Sequence, residues 1–153
     1  MKSNCSRHFI FAAVGALAAL GLGMADAQAG PAPCSLLSSA EISAAVGVTV
    51  GAAQPIGTTG CSWSAPHMIV TVSLWDASKW SKMKAGLPGV TVSSVAGLGD
   101  DAFFSTLGSA EKQFTTLTIK KGDTAYVIKV YGGSAAEQMS GEKTLAGKVL
   151  AKL

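Results

Sequence analysis

The sequence predicts an α+β domain, an antiparallel sheet packed by helices, and three observations predict it. Met68, Val70, Val72 and Leu74 alternate with Ile69, Thr71, Ser73 and Trp75, which is the period of two of a half-buried strand. The runs Phe114 to Lys120 and Thr124 to Tyr131 flank Lys121-Gly122-Asp123, whose Gly-Asp pair suits a tight hairpin. Ser38-Ser-Ala-Glu41 and Ser134-Ala-Ala-Glu137 are capping boxes, in which the serine oxygen accepts from an early backbone N–H and the glutamate reaches back to the cap. Strands joined by hairpins, with helices between them and at the ends, make an antiparallel α+β arrangement.

The chain opens on an address. Lys2 and Arg7 precede an apolar run from Phe9 to Leu22, and Ala27-Gln28-Ala29 places small residues where a signal peptidase reads. Residues 1–29 are therefore read as a secretory signal peptide cut after Ala29, with Ala27 as the alternative site, and residues 30–153 as a single domain. A run of about 14 apolar residues is short for an uncleaved membrane anchor, which needs roughly 18 to 20. Gly30-Pro-Ala-Pro33 before Cys34 is no lipobox, so a lipid anchor is not expected. The expected location is the periplasm or the medium, with no membrane span once the signal is removed. Of the 153 residues 48% are hydrophobic, and part of that share belongs to the signal. Losing Lys2, Arg7 and Asp26 turns 12 basic and 9 acidic residues into 10 and 8, so the net charge falls from +3 to +2. A balance that weak gives no reason to expect a nucleic-acid partner.

Cys5 leaves with the signal, and Cys34 and Cys61 remain as an even pair in an oxidising compartment, which reads as a disulfide. Two thiols and one histidine are too few for a zinc site, and a redox pair would be spaced C-x-x-C.

Along the mature chain, the first capping box opens a short helix through Ile42 and Val46, stopped by Gly47. Val48 to Val50 is expected as a brief strand and Gly51 to Gly60 as a loop rich in turn residues. Cys61-Ser-Trp63 begins a strand, Pro66 interrupts it, and the alternating run follows. Asp76 is placed to cap a second helix in which Trp80, Met83 and Leu87 share a face, ended by Gly86 and Pro88. A strand near Thr91 to Val95 leads through the turn Ala96 to Ala102 into Phe103-Phe104. Beyond the hairpin, Met139, Ala146, Val149, Leu150 and Leu153 mark the stripe of a terminal helix, with Lys148 and Lys152 opposite.

Few residues offer chemistry. Gly97-Leu-Gly-Asp-Asp-Ala102 satisfies G-x-G-x-x-G/A, but Asp100 and Asp101 would repel a pyrophosphate and the following residues read as strand, not helix. The segment is expected to be a glycine-supported turn with Asp100 bonding its own backbone. Adjacent aspartates in an extended segment point to opposite faces, so they do not form a catalytic pair. Ser-x-x-Lys at Ser81/Lys84, Ser109/Lys112 and Ser140/Lys143 lacks the companion motifs of penicillin-binding enzymes. His67, after Pro66, is read as a turn residue. No catalytic residue, metal ligand or cofactor is assigned.

The aromatic residues are the remaining handle. Trp63 is expected in the core beside the disulfide. Trp75 lies opposite the apolar face of its strand and Tyr131 opposite Val130, and exposed tryptophan and tyrosine are favoured at binding surfaces. Trp75 and Tyr131 are therefore either a binding patch or core residues under a second helical layer.

Cys34-Ser-Leu-Leu, Ala40-Glu-Ile42, Val46-Gly47, Cys61-Ser-Trp63, Val95-Ala-Gly-Leu-Gly-Asp100 and the closing Leu145 to Leu153 helix resemble a broad group of small exported bacterial proteins of unknown function. Many of those are lipoproteins. The resemblance implies an N-terminal helix clipped by a disulfide to an antiparallel sheet, similar to the PsbP/Mog1-like α-β-α sandwich, and it transfers no active-site residue. The expected function is a non-enzymatic binding or interaction module of the cell envelope, with an envelope protein or a small ligand as partner. An inhibitor or accessory protein of an exported enzyme, and a small hydrolase, are the competing expectations.

Overall fold

The computed structural model describes residues 32–109 and 112–153, so the segment 1–29 read as a signal peptide lies outside the described residues. Seven strands form one antiparallel sheet: β1 (Gln54–Ile56), β2 (Gly60–Ala65), β3 (Met68–Asp76), β4 (Val90–Ser94), β5 (Asp101–Ser109), β6 (Lys112–Lys121) and β7 (Thr124–Tyr131). Their order across the sheet is β1-β2-β3-β7-β6-β5-β4. Two meanders, β1 to β3 and β4 to β7, are thus joined only where β3 lies against β7, with Ile69 opposite Tyr131 and Asp76 opposite Thr124.

The helices are α1 (Ser39–Val46), α2 (Trp80–Ala85) and α3 (Ala135–Leu150). Ser38 and Ser134 cap α1 and α3, each accepting from the backbone of the glutamate three residues on while that glutamate accepts from the cap. α1 stops at Gly47, whose φ of 74° only glycine adopts without strain. α3 packs on β6 and β7, and α1 packs on α3. Gly141 lies at this junction, where a Cβ would make ordinary contact, at 3.5 Å, with both the Val130 and Val46 side chains.

Between these helices and the sheet lies the core. The inward residues of the strands, among them Trp63, Val70, Val72, Leu117, Ile119 and Ile128, meet Ile42, Leu145, Ala146 and Val149 with no exposed surface. The Cys34–Cys61 disulfide ties the turn before α1 to β2 inside this core, with Cα atoms 5.1 Å apart. At the other end of the chain Lys152 donates to Leu36 O and to Glu41 on α1, at 2.9 and 2.8 Å, so the two termini of the domain are clasped together.

Several expectations need correction. Val48 to Val50 is not a strand, and the expected loop contains β1, whose Pro55 is tolerated because β1 is an edge strand. α2 is shorter than the periodicity predicts: Asp76 caps a 3-10 turn over Ala77–Lys79, and Leu87 falls beyond the helix and is exposed. α3 ends at Leu150, which leaves Leu153 outside it, and Lys152 grips α1 where the sequence sends it toward water. Asp100 does not bond its own backbone. It accepts from Gly122 N at 2.7 Å and so ties its turn to the β6–β7 hairpin.

Candidate functional site

In an antiparallel sheet alternate residues share a face, and neighbours on that face follow the register. On the side away from α1 and α3, Val90, Leu107 and Phe114 form a row across β4, β5 and β6 that leads to Tyr131 and Ile69 on β7 and β3. Phe114 and Tyr131 have ring centroids 6.3 Å apart. A second row holds Val92 and Ser105, then Thr116, and Lys129 opposite Thr71. A third runs Ser94, Phe103, Thr118, Val127 and Ser73. The last places Trp75 beside Ala125. The face is therefore a hydroxyl-rich floor with Lys129 in it, between one wall centred on Leu107, Phe114 and Tyr131 and another centred on Phe103 and Trp75.

Among the described residues only α2 roofs this face, and three contacts hold it there. Trp80 meets the Phe103 ring edge-on at 5.1 Å, and its Nε1 donates to Asp101 at 3.0 Å. Lys84 donates to the same Asp101 oxygen at 2.7 Å, and these two donors hold the Asp101 carboxyl below its ordinary range. Beyond α2 the floor is open. Trp75 is 54% exposed, Leu107 52% and Tyr131 36%, which decides between the two readings of the aromatic residues in favour of a solvent-facing position for both Trp75 and Tyr131.

The trough between the walls comprises a cavity of about 650 Å³ under α2 and a neighbouring one of about 470 Å³ toward Ile56. Trp75, Met83, Ser105, Thr116, Lys129 and Tyr131 line both, so the two are continuous. Three lysines, Lys79, Lys82 and Lys129, line the larger part, and no carboxylate does. Among the described residues none of these three is in a salt bridge, whereas Lys84, Lys121 and Lys152 each have one.

On the opposite side of the sheet from the trough, β6 and β7 split in a way that sequence reasoning missed. Counting back from the two-residue turn at Gly122-Asp123, the pairs Lys121–Thr124, Ile119–Tyr126 and Leu117–Ile128 lead to Thr115–Val130, the next pair that would exchange backbone hydrogen bonds. They do not pair with each other. Thr115 N donates to Gln138 Oε1 at 2.9 Å and Val130 N donates to Glu142 Oε1 at 3.0 Å. Two buried side chains of α3 thus stand in for the missing strand partners, and Gln138 Nε2 donates onward to the Gln113 and Gly133 carbonyls. Thr115 Oγ1 lies 3.2 Å from Gln138 Oε1 and 3.1 Å from Glu142 Oε2. Its single proton serves one of them, and both contacts are satisfied only when Glu142 carries a proton of its own. Burial accordingly pushes the Glu142 carboxyl up to about 7, against the opposing pull of Val130 N–H, the Thr115 hydroxyl and the Lys129 charge.

The other sequence candidates do not converge. His67 sits exposed in the β2–β3 turn, while Asp100 lies beside the β6–β7 turn, at the opposite end of the strands. Asp100 and Asp101 part company, one held by Gly122 and the other by α2. Gly99 is where the turn passes closest to the sheet, since an added Cβ would run into the Lys120 carbonyl. Ser109 and Lys112 are a cross-strand pair at the end of β5, and Lys143 stands 5.6 Å over the Phe104 ring. Among the described residues no group of three or more metal-ligating side chains comes together, and no helix is long and apolar enough to cross a membrane.

No protein family, curated protein or solved structure matches the chain.

Proposed function

We propose that the chain is an exported, non-enzymatic binding module of the bacterial envelope whose ligand docks on the open face of the sheet. The observation that carries this reading is the continuous trough between Trp75 and Tyr131. A seven-stranded sheet covered by two helices on one side leaves large aromatic side chains to water on the other, and such surface is costly to maintain without a use. Export rests on the signal-like residues 1–29, and it accords with a disulfide that persists in oxidising compartments. The size of the trough favours a small ligand: sites for small molecules enclose roughly 300 to 1,000 Å³ and combine apolar walls with a few placed polar groups.

Protein-observed NMR tests the reading. A panel of small apolar molecules, neutral and charged, is titrated into 15N-labelled protein. The Trp75 indole and the amides of Thr116, Lys129 and Tyr131 are expected to shift, with α1 and α3 silent. A panel that moves only amides of α1 and α3, or none at all, would defeat it.

A further inference from the structure

The chemistry of the trough goes further than its existence, and on the reading just given it identifies a class of ligand. We infer that the site takes an amphipathic monoanion of small-molecule size, an aliphatic or aromatic body carrying one carboxylate. The walls supply the surface for the body: Leu107, Phe114 and Tyr131 on one side, Trp75 and Met83 on the other. Lys129 supplies the counter-charge. It is half-buried in the floor, it stands between hydroxyl-bearing residues, Thr116 and Thr71, and no carboxylate lines the cavity around it. Lys79, in the 3-10 turn before the roof helix, and Lys82, within it, add positive charge at the rim, while the other lysine of that helix, Lys84, is occupied by Asp101.

Asymmetry is what separates this from a merely sticky surface. Asp101, the carboxylate under the roof helix, is engaged by both Trp80 and Lys84, and among the described residues none of the three lysines that line the cavity is in a salt bridge, Asp76 near Lys79 and Glu142 near Lys129 acting only at longer range. A lysine partly withdrawn from water and left without an anion gains more from one than a fully exposed lysine does, because the surrounding dielectric is lower. The hydroxyls of Ser105 and Thr116 can donate to the same headgroup. An extended acidic peptide fits less well. Strand addition needs a free edge, and the trough crosses the central strands β7, β6 and β5.

Decanoate, decanol and decylammonium, each below its micelle concentration, separate the possibilities by isothermal titration calorimetry and the same NMR map. Decanoate is expected to bind about tenfold tighter than decanol, with decylammonium weakest, and that advantage is expected to shrink in high salt. Lys129→Gln should remove most of the decanoate advantage and leave decanol unchanged, which shows that the variant is folded and its walls intact. Lys79→Gln should have a smaller effect, since that side chain is exposed. Equal affinity for decanoate and decanol, or a preference for decylammonium, overturns the inference while leaving a binding face. Failure of all three to perturb the trough overturns the inference and the binding reading together. Binding of a hydrophobic acidic peptide without decanoate binding assigns the face to a protein partner and likewise overturns it.

Discussion

Replacing Glu142 by Gln should make the protein more stable at mildly alkaline pH and nearly unchanged at acid pH. The reasoning starts from a carboxyl with no exposed surface, wedged between β6 and β7, whose folded pKa is raised to about 7 from an ordinary value of 4.5. A raised carboxyl pKa means that the folded state holds the proton more tightly than the unfolded state does. The stability this contributes is fully present below 4.5 and is lost progressively as pH rises through 7. The difference between those two values, at about 1.4 kcal/mol per unit, amounts to about 3 kcal/mol, or roughly a 10 °C fall in Tm for a domain of this size. Glutamine keeps an oxygen for Val130 N–H and offers an amide proton to Thr115 Oγ1, so it imitates the protonated acid without titrating. Thermal and urea unfolding of both proteins between about pH 4 and pH 8 should give curves that coincide at the acid end and diverge by about 3 kcal/mol at the other. Parallel curves across that range would show that Glu142 does not titrate in the folded protein, and the account of the wedge as a protonated network would be wrong.

Two further outcomes follow from the covalent and ionic ties. Reduction of Cys34–Cys61, which closes a loop across a sequence separation of 27, should cost about 3 to 4 kcal/mol in the chain-entropy model, measured as a fall in Tm with reductant; equal Tm values would contradict the bridge. Lys152→Met should raise the pKa of Glu41 from about 2, because the Lys152 ammonium is the largest cause of the depression, yet not restore it fully while Ser38 N–H and Oγ still donate. Its sign is opposite to that of Glu142: the Glu41 contribution is present above its ordinary 4.5 and is lost as pH falls toward 2, so a 13C carboxyl titration reads it directly.

Features set by neighbours in sequence were legible. The two capping boxes close on Ser38 and Ser134 because each needs only four consecutive residues, and the Gly122 hairpin because its turn and its alternation agree. Strand parity put Trp75 and Tyr131 on the outer face, and the burial of β3 follows it, whereas in β7 Ala125 and Val127 are buried on that same face. What parity cannot supply is the register between strands far apart in the chain, and so the shared trough was hidden. β1 was hidden for a different reason: Pro55 in a run of turn residues reads as loop unless the partner strand is known. Gln138 and Glu142 defeated the helix pattern because they occupy core positions of the stripe that continues through Leu145 and Val149. A polar residue there reads as surface until the broken Thr115–Val130 pairing shows what it replaces.

The position of β7 has a consequence for how the chain reaches its native state. The first meander, β1 to β3, and the strands β4 to β6 share no strand pairing, and each gains its connection to the other through β7 alone. For a chain emerging N-terminus first, the halves cannot join until residues as late as Tyr131 have appeared, and the closing contact, Ile69 against Tyr131, is among the most distant in the sheet. Closure of the sheet is therefore delayed until β7 is available, since long loop closures precede the contacts that reward them. A sheet keyed in this way is left in two unjoined parts until β7 has been made.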